Sequence, residues 1–187
     1  MEATERKLVL GHLAASRERL LQAVDGLSAE QRAFQPAEDR WSVAGCVEHI
    51  IVVEDFVFQT MHRVLDAPPE PDTKQAEVRR KDPIVIEKVP ARTSRVMGPE
   101  RVHPKNRWPD FDELLRQFEA TRQRSVTFAQ GTEADLRSHF FPHPFLGDLD
   151  CYQWLLFLGL HCERHVRQLE EVKADPGFPN RGLGAGG

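Results

Sequence analysis

The segment DCYQWLLFLGLHCERHVRQLEEV, residues 150–172, decides the fold class because it joins a helical apolar stripe to two histidines. On a helical wheel of about 100° per residue, the apolar arc contains Trp154, Leu158, Cys162, Leu169 and Val172. His161 and His165 stand four residues apart inside this arc, and charged residues lie opposite it. The pattern therefore predicts a helix that turns two imidazoles towards the protein interior.

Two interpretations of this histidine pair remain open on spacing alone. Each imidazole can be a core side chain bonded to a carbonyl or carboxylate, because an unpaired buried polar group costs about 1–3 kcal/mol. Alternatively, the two rings share a divalent metal ion, since histidines at this spacing project from one face of a helix. A third histidine in reach would favour the metal.

Three further stretches have helical periodicity. The first covers about residues 4–24 and stops at Gly26; the second follows Ser42, a good N-cap residue, and runs towards Pro68. The third begins near WPDFDELLRQF (108–118), with acidic residues in its first turn. Four amphipathic helices without alternating strands predict an all-α four-helix bundle, either up-and-down or with a crossover.

The domain organisation follows from the segments between and beyond these helices. A single domain is expected over residues 1–175, followed by a flexible glycine-rich tail over 176–187. The proline-rich connection 66–109 is long enough to be either a folded lid or a solvated linker, and both remain open. Within it, DPIVIEKVP (82–90) is the one place where a short strand could form.

Composition excludes several classes of function. The formal net charge of −4 offers no electrostatic reason to expect a nucleic acid partner. No apolar run approaches the roughly 18–20 residues that span a bilayer, so no membrane partner is expected. The three cysteines form no CxxC pair, which argues for a reducing compartment and hence a cytoplasmic location.

Three other histidines are candidates for the same site. His49 lies at the border of the apolar arc of the second helix, where it can meet the His161/His165 pair or stay half in water. His12 lies on the apolar arc of the first helix, as a core residue or a pocket wall. His143 precedes the last helix in a predicted loop and can line a pocket mouth.

Three stretches together resemble a known family. They are RWSVAGCVEHI (40–50), VMGPERVHPKNRWPDFDELLRQFEATR (96–122) and PHPFLGDLDCYQWLLFLGLHCERHVRQLEEV (142–172). In order and spacing they resemble the DinB-like (YfiT-like) superfamily of metal-dependent four-helix bundle proteins, over about residues 4–173. The most specific parts are Trp41-Ser42 followed by His49, the H-P-x-x-G run from His143, and the H-x-x-R-H-x-x-Q run from His161.

This resemblance implies a divalent metal site, zinc or nickel, with the ligands His49, His161 and His165. It also implies a homodimer. Three neutral imidazoles leave a coordination position open, as in catalytic zinc sites, so water or a thiol can be activated there. Characterised relatives resemble S-transferases that use bacillithiol or mycothiol, a thiol-dependent isomerase, or hydrolases.

We therefore expect a metal-dependent transferase or hydrolase that acts on a small molecule, possibly with a low-molecular-weight thiol as cosubstrate. The alternative is a non-catalytic, metal-stabilised binding or stress-response module. Gln168, Glu54 and Cys46 are candidates for contacts around the ligands. For Glu54 a salt bridge across the bundle, for example to Arg164, is an equal possibility. For Cys46 a buried apolar thiol is the alternative.

Overall fold

Four long helices form the body of the computed structural model, which describes residues 1–93 and 98–180. They are α1 (Ala3–Val24), α3 (Val43–Leu65), α6 (Phe111–Gly131) and α7 (Cys151–Lys173). The shorter elements are α2 (Ala29–Ala33), α4 (Asp72–Arg79), α5 (Asp82–Lys88), a 3-10 turn (Glu100–Val102) and the strands β1 (Phe140–His143) and β2 (Gly147–Asp150). The prediction of a four-helix bundle is confirmed.

Side-chain caps define where the helices that carry the site begin. The Ser42 hydroxyl accepts a hydrogen bond from the Gly45 amide and starts α3. Asp150 accepts from the Gln153 amide, and the Gln153 side chain accepts from the Asp150 amide, so α7 begins with a capping box. Such caps satisfy N–H groups that have no partner within the helix. The starts of both helices are thus set locally.

The bundle has a crossover arrangement. α1 packs along α7 and α6, and α3 packs along the same two helices. The four helices therefore close a ring in which α1 and α3 occupy opposite corners, as do α6 and α7. α1 and α7 approach closely at Gly159, where a Cβ atom would lie 2.7 Å from the Cβ of His12. A side chain on Gly159 would force the two helices apart.

A buried ion pair joins α3 to α6. The Glu54 carboxylate accepts hydrogen bonds from the Arg122 guanidinium at 2.9–3.2 Å, and both side chains are almost fully buried. Arg122 also donates to the Leu13 carbonyl and the Ser16 hydroxyl of α1, at 2.8 Å each. Glu54 therefore makes a salt bridge across the bundle, but its partner is Arg122 and not Arg164.

The connection between α3 and α6 folds onto the bundle in the part that the structure describes. The strand predicted at residues 82–90 is wrong, because α5 occupies this segment. Pro83 lies in its first turn, which suits a helix start, and only Val85 is buried, against α7. Ile84 and Ile86 remain exposed. The segment thus buries one side chain per turn, and the strand-like run of branched residues has no neighbouring strand to pair with.

A β-hairpin replaces the loop that was predicted before the last helix. β1 and β2 pair antiparallel, with Phe140 opposite Asp150 and His143 opposite Gly147. Gly147 has φ +67°, the left-handed conformation that a tight turn requires. Each strand has only four residues, too few for a period-2 pattern to stand out in the sequence.

Part of the predicted C-terminal tail packs on the bundle. The ring of Phe178 lies edge-on to Phe34 at 5.5 Å, and the Gln31 amide donates to the Pro179 carbonyl at 2.8 Å. The prediction of a flexible tail otherwise concerns residues 181–187, which lie outside the described residues. In the two described ranges, the long helices carry too many charged residues for any of them to cross a membrane.

Candidate metal centre

Three histidines from two helices converge on one point. His49 comes from α3, and His161 and His165 come from successive turns of α7. One nitrogen of each ring lies within 4.8 Å of a nitrogen of each of the others. The Nε2 atoms of His161 and His165 are 3.1 Å apart. The packing of α3 against α7 therefore assembles a three-nitrogen cluster.

A backbone carbonyl determines the tautomer of His49. Its Nδ1 lies 2.7 Å from the carbonyl oxygen of Val102, in the 3-10 turn. A carbonyl oxygen can only accept, so Nδ1 carries the hydrogen and Nε2 keeps a free lone pair. This is the arrangement that metal-bound histidines adopt, with the second ring nitrogen held by a carbonyl or carboxylate.

An analogous contact determines the tautomer of His165. Its Nδ1 lies 3.0 Å from Oε1 of Gln168, and Arg92 donates to the same oxygen at 3.2 Å. The arginine identifies this atom as the amide oxygen, so Nδ1 of His165 is again the donor. Arg92 is held by two hydrogen bonds to the Glu171 carboxylate. Gln168 therefore contacts a ligand histidine, as its position on the helical wheel suggested.

Burial keeps the cluster uncharged. It lowers the pKa of His49 to about 4 and moves the pKa of both His161 and His165 well below the usual value. Neighbouring positive charges lower the pKa values of the two α7 histidines further. All three rings are thus neutral at pH 7, the form that binds a metal.

The residues fit a divalent ion. Zinc–nitrogen bonds are about 2.0–2.1 Å long, so two of them meeting at a right or tetrahedral angle separate their nitrogens by roughly 2.8–3.4 Å. The 3.1 Å between Nε2 of His161 and Nε2 of His165 lies in this range. Because the tautomer of His165 leaves its Nε2 without a hydrogen, this nitrogen can bind an ion that lies between the two rings.

A cavity of about 550 Å³ lies beside the cluster. The hairpin and α3 form one side of it, and the described ends of the segment 88–102 form another. Trp41 borders both the cavity and the ligands, with its ring centroid 4.5 Å from that of His49. The long connection between α3 and α6 thus walls the cavity in the part that the structure describes.

The structure places His143 in the wall of this cavity. Its ring lies 5.3 Å from the ring of Trp154 and 5.2 Å from that of Phe157. Nδ1 accepts a hydrogen bond from the Phe145 amide at 3.2 Å, so the neutral ring carries its hydrogen on Nε2. Burial lowers the pKa of His143 to about 4, which keeps the ring neutral at pH 7. His143 is therefore a hydrogen-bond donor rather than a base.

Comparison with known proteins shows the family of this chain. The family model of the DinB superfamily matches residues 12–169, which include all three histidines. The chain belongs to the DinB superfamily. A curated member, the uncharacterized protein YuaE of Bacillus subtilis (strain 168), is 26% identical over 151 residues, covering 79% of this chain and 86% of YuaE.

Two solved structures share the fold of this DinB superfamily member. YfiT from Bacillus subtilis, described as a probable metal-dependent hydrolase with an unusual four-helix bundle topology, has a TM-score of 0.59 and 16% identity, over 96% of this chain and 91% of YfiT. The four-helix bundle protein TT2238 has a TM-score of 0.53 and 22% identity, over 89% of this chain and 98% of TT2238. At these identities the likeness shows the fold alone.

Three of the residues expected near the candidate metal site lie elsewhere. The Glu54 carboxylate is paired with the Arg122 guanidinium. Cys46 is fully buried in an apolar cluster, where burial raises the pKa of its thiol to about 12 and leaves it protonated. His12 is half-buried and lines a second cavity between α1 and α7. Their positions on helical arcs did not distinguish which neighbouring helix they face.

Sequence reasoning missed the loop that holds the Val102 carbonyl in place. Glu48 is buried, and its carboxylate accepts hydrogen bonds from the amides of Lys105 and Asn106 at 2.8 Å each and from Arg107 at 2.5 Å. Asn106 adopts φ +57°, so the backbone turns sharply around this carboxylate. The sequence feature that could have indicated this loop contact is the acidic residue directly before His49.

Replacement of Glu48 by glutamine is expected to lower zinc affinity about tenfold. The amide presents an N–H₂ group to donors, so the loop that follows Val102 loses an acceptor, and partners behind a ligand contribute 10- to 100-fold to affinity. A competition titration against a chromophoric chelator measures the change. The matched control is Asp55→Asn on α3, whose carboxylate pairs with Arg124 at the surface. Equal affinities in the two variants would contradict this role of Glu48.

Proposed function

We propose that this chain is a divalent-metal-dependent enzyme that acts on a small molecule. The observation that carries the proposal is the cluster of three neutral imidazoles, two buried and one half-buried, on the wall of a cavity of about 550 Å³. Two of the three have their Nδ1 hydrogens engaged, so their Nε2 atoms are available to an ion. An ion that served only to tie α3 to α7 would not require a cavity of this size beside it.

Zinc and nickel are the ions that this donor set suits. Both bind neutral imidazole, and three protein ligands are typical of catalytic rather than structural zinc sites. A divalent ion held in this way supplies Lewis acidity, which lowers the pKa of a water or thiol that occupies the remaining position. The protein contributes a largely apolar pocket around that position.

Thiol transfer is the reaction that we propose first, because the described lining of the pocket offers no base beside the cluster. Asp39 and Glu171 supply the carboxylates among the described lining residues, and neither belongs to the three-nitrogen cluster. Glu171 is paired with Arg92, and His143 presents a donor. A thiol with a pKa near 8.5 needs less help to ionise than water does.

Hydrolysis is the second candidate, and the observation that favours it is the shared fold with YfiT, a probable metal-dependent hydrolase. A zinc ion by itself lowers the pKa of bound water to about 7. Hydrolysis therefore does not strictly require a carboxylate base. The non-catalytic binding or stress-response module remains the outcome if neither activity is found.

A transfer assay separates these possibilities. Protein loaded with zinc or nickel is mixed with monochlorobimane and a panel of low-molecular-weight thiols, and a parallel set contains activated esters. In transfer, the thiol sulfur forms a bond to carbon, chloride leaves and the thiol proton passes to solvent. We expect the fluorescent thioether to form with at least one thiol and to disappear in His161→Ala, whereas the surface variant His62→Ala stays active.

Each other result assigns a different function. Ester cleavage with no thioether formation would replace the transferase by a hydrolase. If no product forms with any substrate, in protein that binds one metal per chain, the result would support the non-catalytic module.

Three free, buried cysteines support the proposal of a reducing cytoplasm, where small thiols stay reduced. Family resemblance supports a homodimer, which light scattering of the purified protein would test.

A further inference from the structure

The face of α7 that lines the cavity changes character along the helix. Its lining residues are, in order, Trp154, Phe157, His161, Arg164, His165, Gln168 and Glu171. With a rise of about 1.5 Å per residue, Phe157 lies roughly 6 Å before His161, and Gln168 lies roughly 5 Å after His165. The cavity is therefore aromatic at one end, holds the three histidines in the middle and is charged at the other end.

The aromatic end is rigid and partly open. The Trp154 ring stacks on Phe141 at 4.4 Å, and its indole N–H donates to the Phe141 carbonyl. Phe157 stacks on His161 at 4.8 Å, so the aromatic wall reaches the cluster. Phe145, at the tip of the hairpin, lines the cavity while 60% of its surface is exposed. An exposed aromatic side chain on a cavity rim is suited to an apolar ligand.

The described lining of the cavity carries more positively than negatively charged side chains. The cations are Arg40, Lys88, Arg92, Arg101 and Arg164. Against these five stand the two carboxylates of Asp39 and Glu171. The Glu171 carboxylate already accepts two hydrogen bonds from Arg92 and forms an ion pair with Arg40 at 3.5 Å. A divalent ion on the histidines would add to this excess.

Arg92 and Arg164 both line the cavity beside the histidines. Burial lowers the pKa of Arg164, and the positive charge of Arg92 lowers it further. Arg164 precedes His165 in sequence, and Arg92 contacts the Gln168 amide that holds His165. A cleft with an excess of one charge concentrates ligands of the opposite charge, and paired guanidinium groups match the plane of a carboxylate.

We propose that the cavity binds an organic carboxylate with an apolar body. The carboxylate lies against Arg92 and Arg164, beside the three histidines, and the body lies against Trp154, Phe157 and Phe145. This assignment of a substrate class rests on the proposed function for the reaction, but its charge and shape argument depends only on the cavity.

The test compares three probes on zinc-loaded full-length protein. They are 4-phenylbutyrate, its neutral amide 4-phenylbutanamide, and butyrate, which lacks the ring. Calorimetry and the fluorescence of Trp41 and Trp154, which line the cavity, report binding. We expect 4-phenylbutyrate to bind about tenfold more tightly than the amide, as a charge-assisted hydrogen bond predicts, and more tightly than butyrate.

Two variants test which residues bind the carboxylate and which bind the phenyl ring of the probe. Arg164→Gln should lower affinity for 4-phenylbutyrate about tenfold and leave the amide unchanged. Phe145→Ala should weaken the acid and the amide by the same factor. Arg116→Gln is the matched control, because it removes one positive charge from an exposed site on α6 that does not line the cavity.

Two outcomes would overturn the proposal. One is equal affinity for the acid and the amide. The other is acid binding that survives Arg164→Gln and is lost in His161→Ala, because the carboxylate would then bind the zinc. If the histidines bind no metal, the proposed function fails. The same titration of metal-free protein then still tests whether Arg92 and Arg164 bind the carboxylate. If the transfer and ester assays give no product, the comparison of the three probes still tests ligand binding, because it does not depend on turnover.

Discussion

His165→Ala is expected to lower the affinity for zinc or nickel by more than about 100-fold. The substitution removes one of three nitrogen donors, whereas the loss of a partner behind a ligand already costs 10- to 100-fold. It also leaves Nε2 of His161 without the neighbour that lies 3.1 Å away. His49→Ala should have an effect of the same size, since its Nε2 is the donor that α3 contributes.

Metal content by mass spectrometry and competition against a chromophoric chelator measure this loss. His62→Ala is the matched control, because His62 is an exposed histidine on α3 whose ring contacts Phe58 and Phe128. His165→Gln keeps most of the side-chain volume and replaces the alanine variant if that variant fails to fold. One metal per chain at unchanged affinity in every single ligand variant would exclude the cluster as the site.

Arg122→Met is expected to lower the free energy of unfolding by about 3–5 kcal/mol. The substitution leaves the Glu54 carboxylate buried without its partner, and an uncompensated buried charge costs this much. It also removes the donors to the Leu13 carbonyl and the Ser16 hydroxyl, so contacts to α1 are lost with the contact to α3. Urea denaturation at pH 7, followed by circular dichroism, measures the change.

A second ion pair in the same two helices provides the control. Arg124 pairs with Asp55 across α6 and α3, but at the surface, where ion pairs contribute about 0–1 kcal/mol. Arg124→Met should therefore change the free energy of unfolding by less than about 1 kcal/mol. The double variant Glu54→Leu/Arg122→Met should recover part of the loss, because it buries no lone charge. Equal effects of the two arginine substitutions would contradict the assignment.

Much of the architecture could be predicted from local sequence patterns. The long helices have an apolar face at helical spacing, and the starts of α3 and α7 have polar capping residues, so their positions follow from interactions within a few residues. The four-residue strands of the hairpin carry no such signal. α5 was missed because its branched residues favour a strand in isolation, while the packing of Val85 against α7 favours a helix.

The candidate metal site was likewise only partly predictable from the sequence. The spacing of His161 and His165 places both on one face of α7 without any knowledge of the fold. The third ligand, His49, entered through the family resemblance, since a histidine at the border of a helical arc faces either water or a neighbouring helix. Only the packing of α3 against α7 brings its ring within 5.2 Å of His161 and 4.6 Å of His165.

The sequence by itself determined the helices, their inward faces and the pair of histidines that begins the site, because these depend on contacts a few residues apart. Only the tertiary structure decided what surrounds them: the Val102 carbonyl on His49, Arg92 behind Gln168, and Arg122 as the partner of Glu54. These pairs lie between 53 and 76 residues apart in the chain. No periodic pattern links them, because a buried polar group is satisfied by whichever chain segment the packing brings to it.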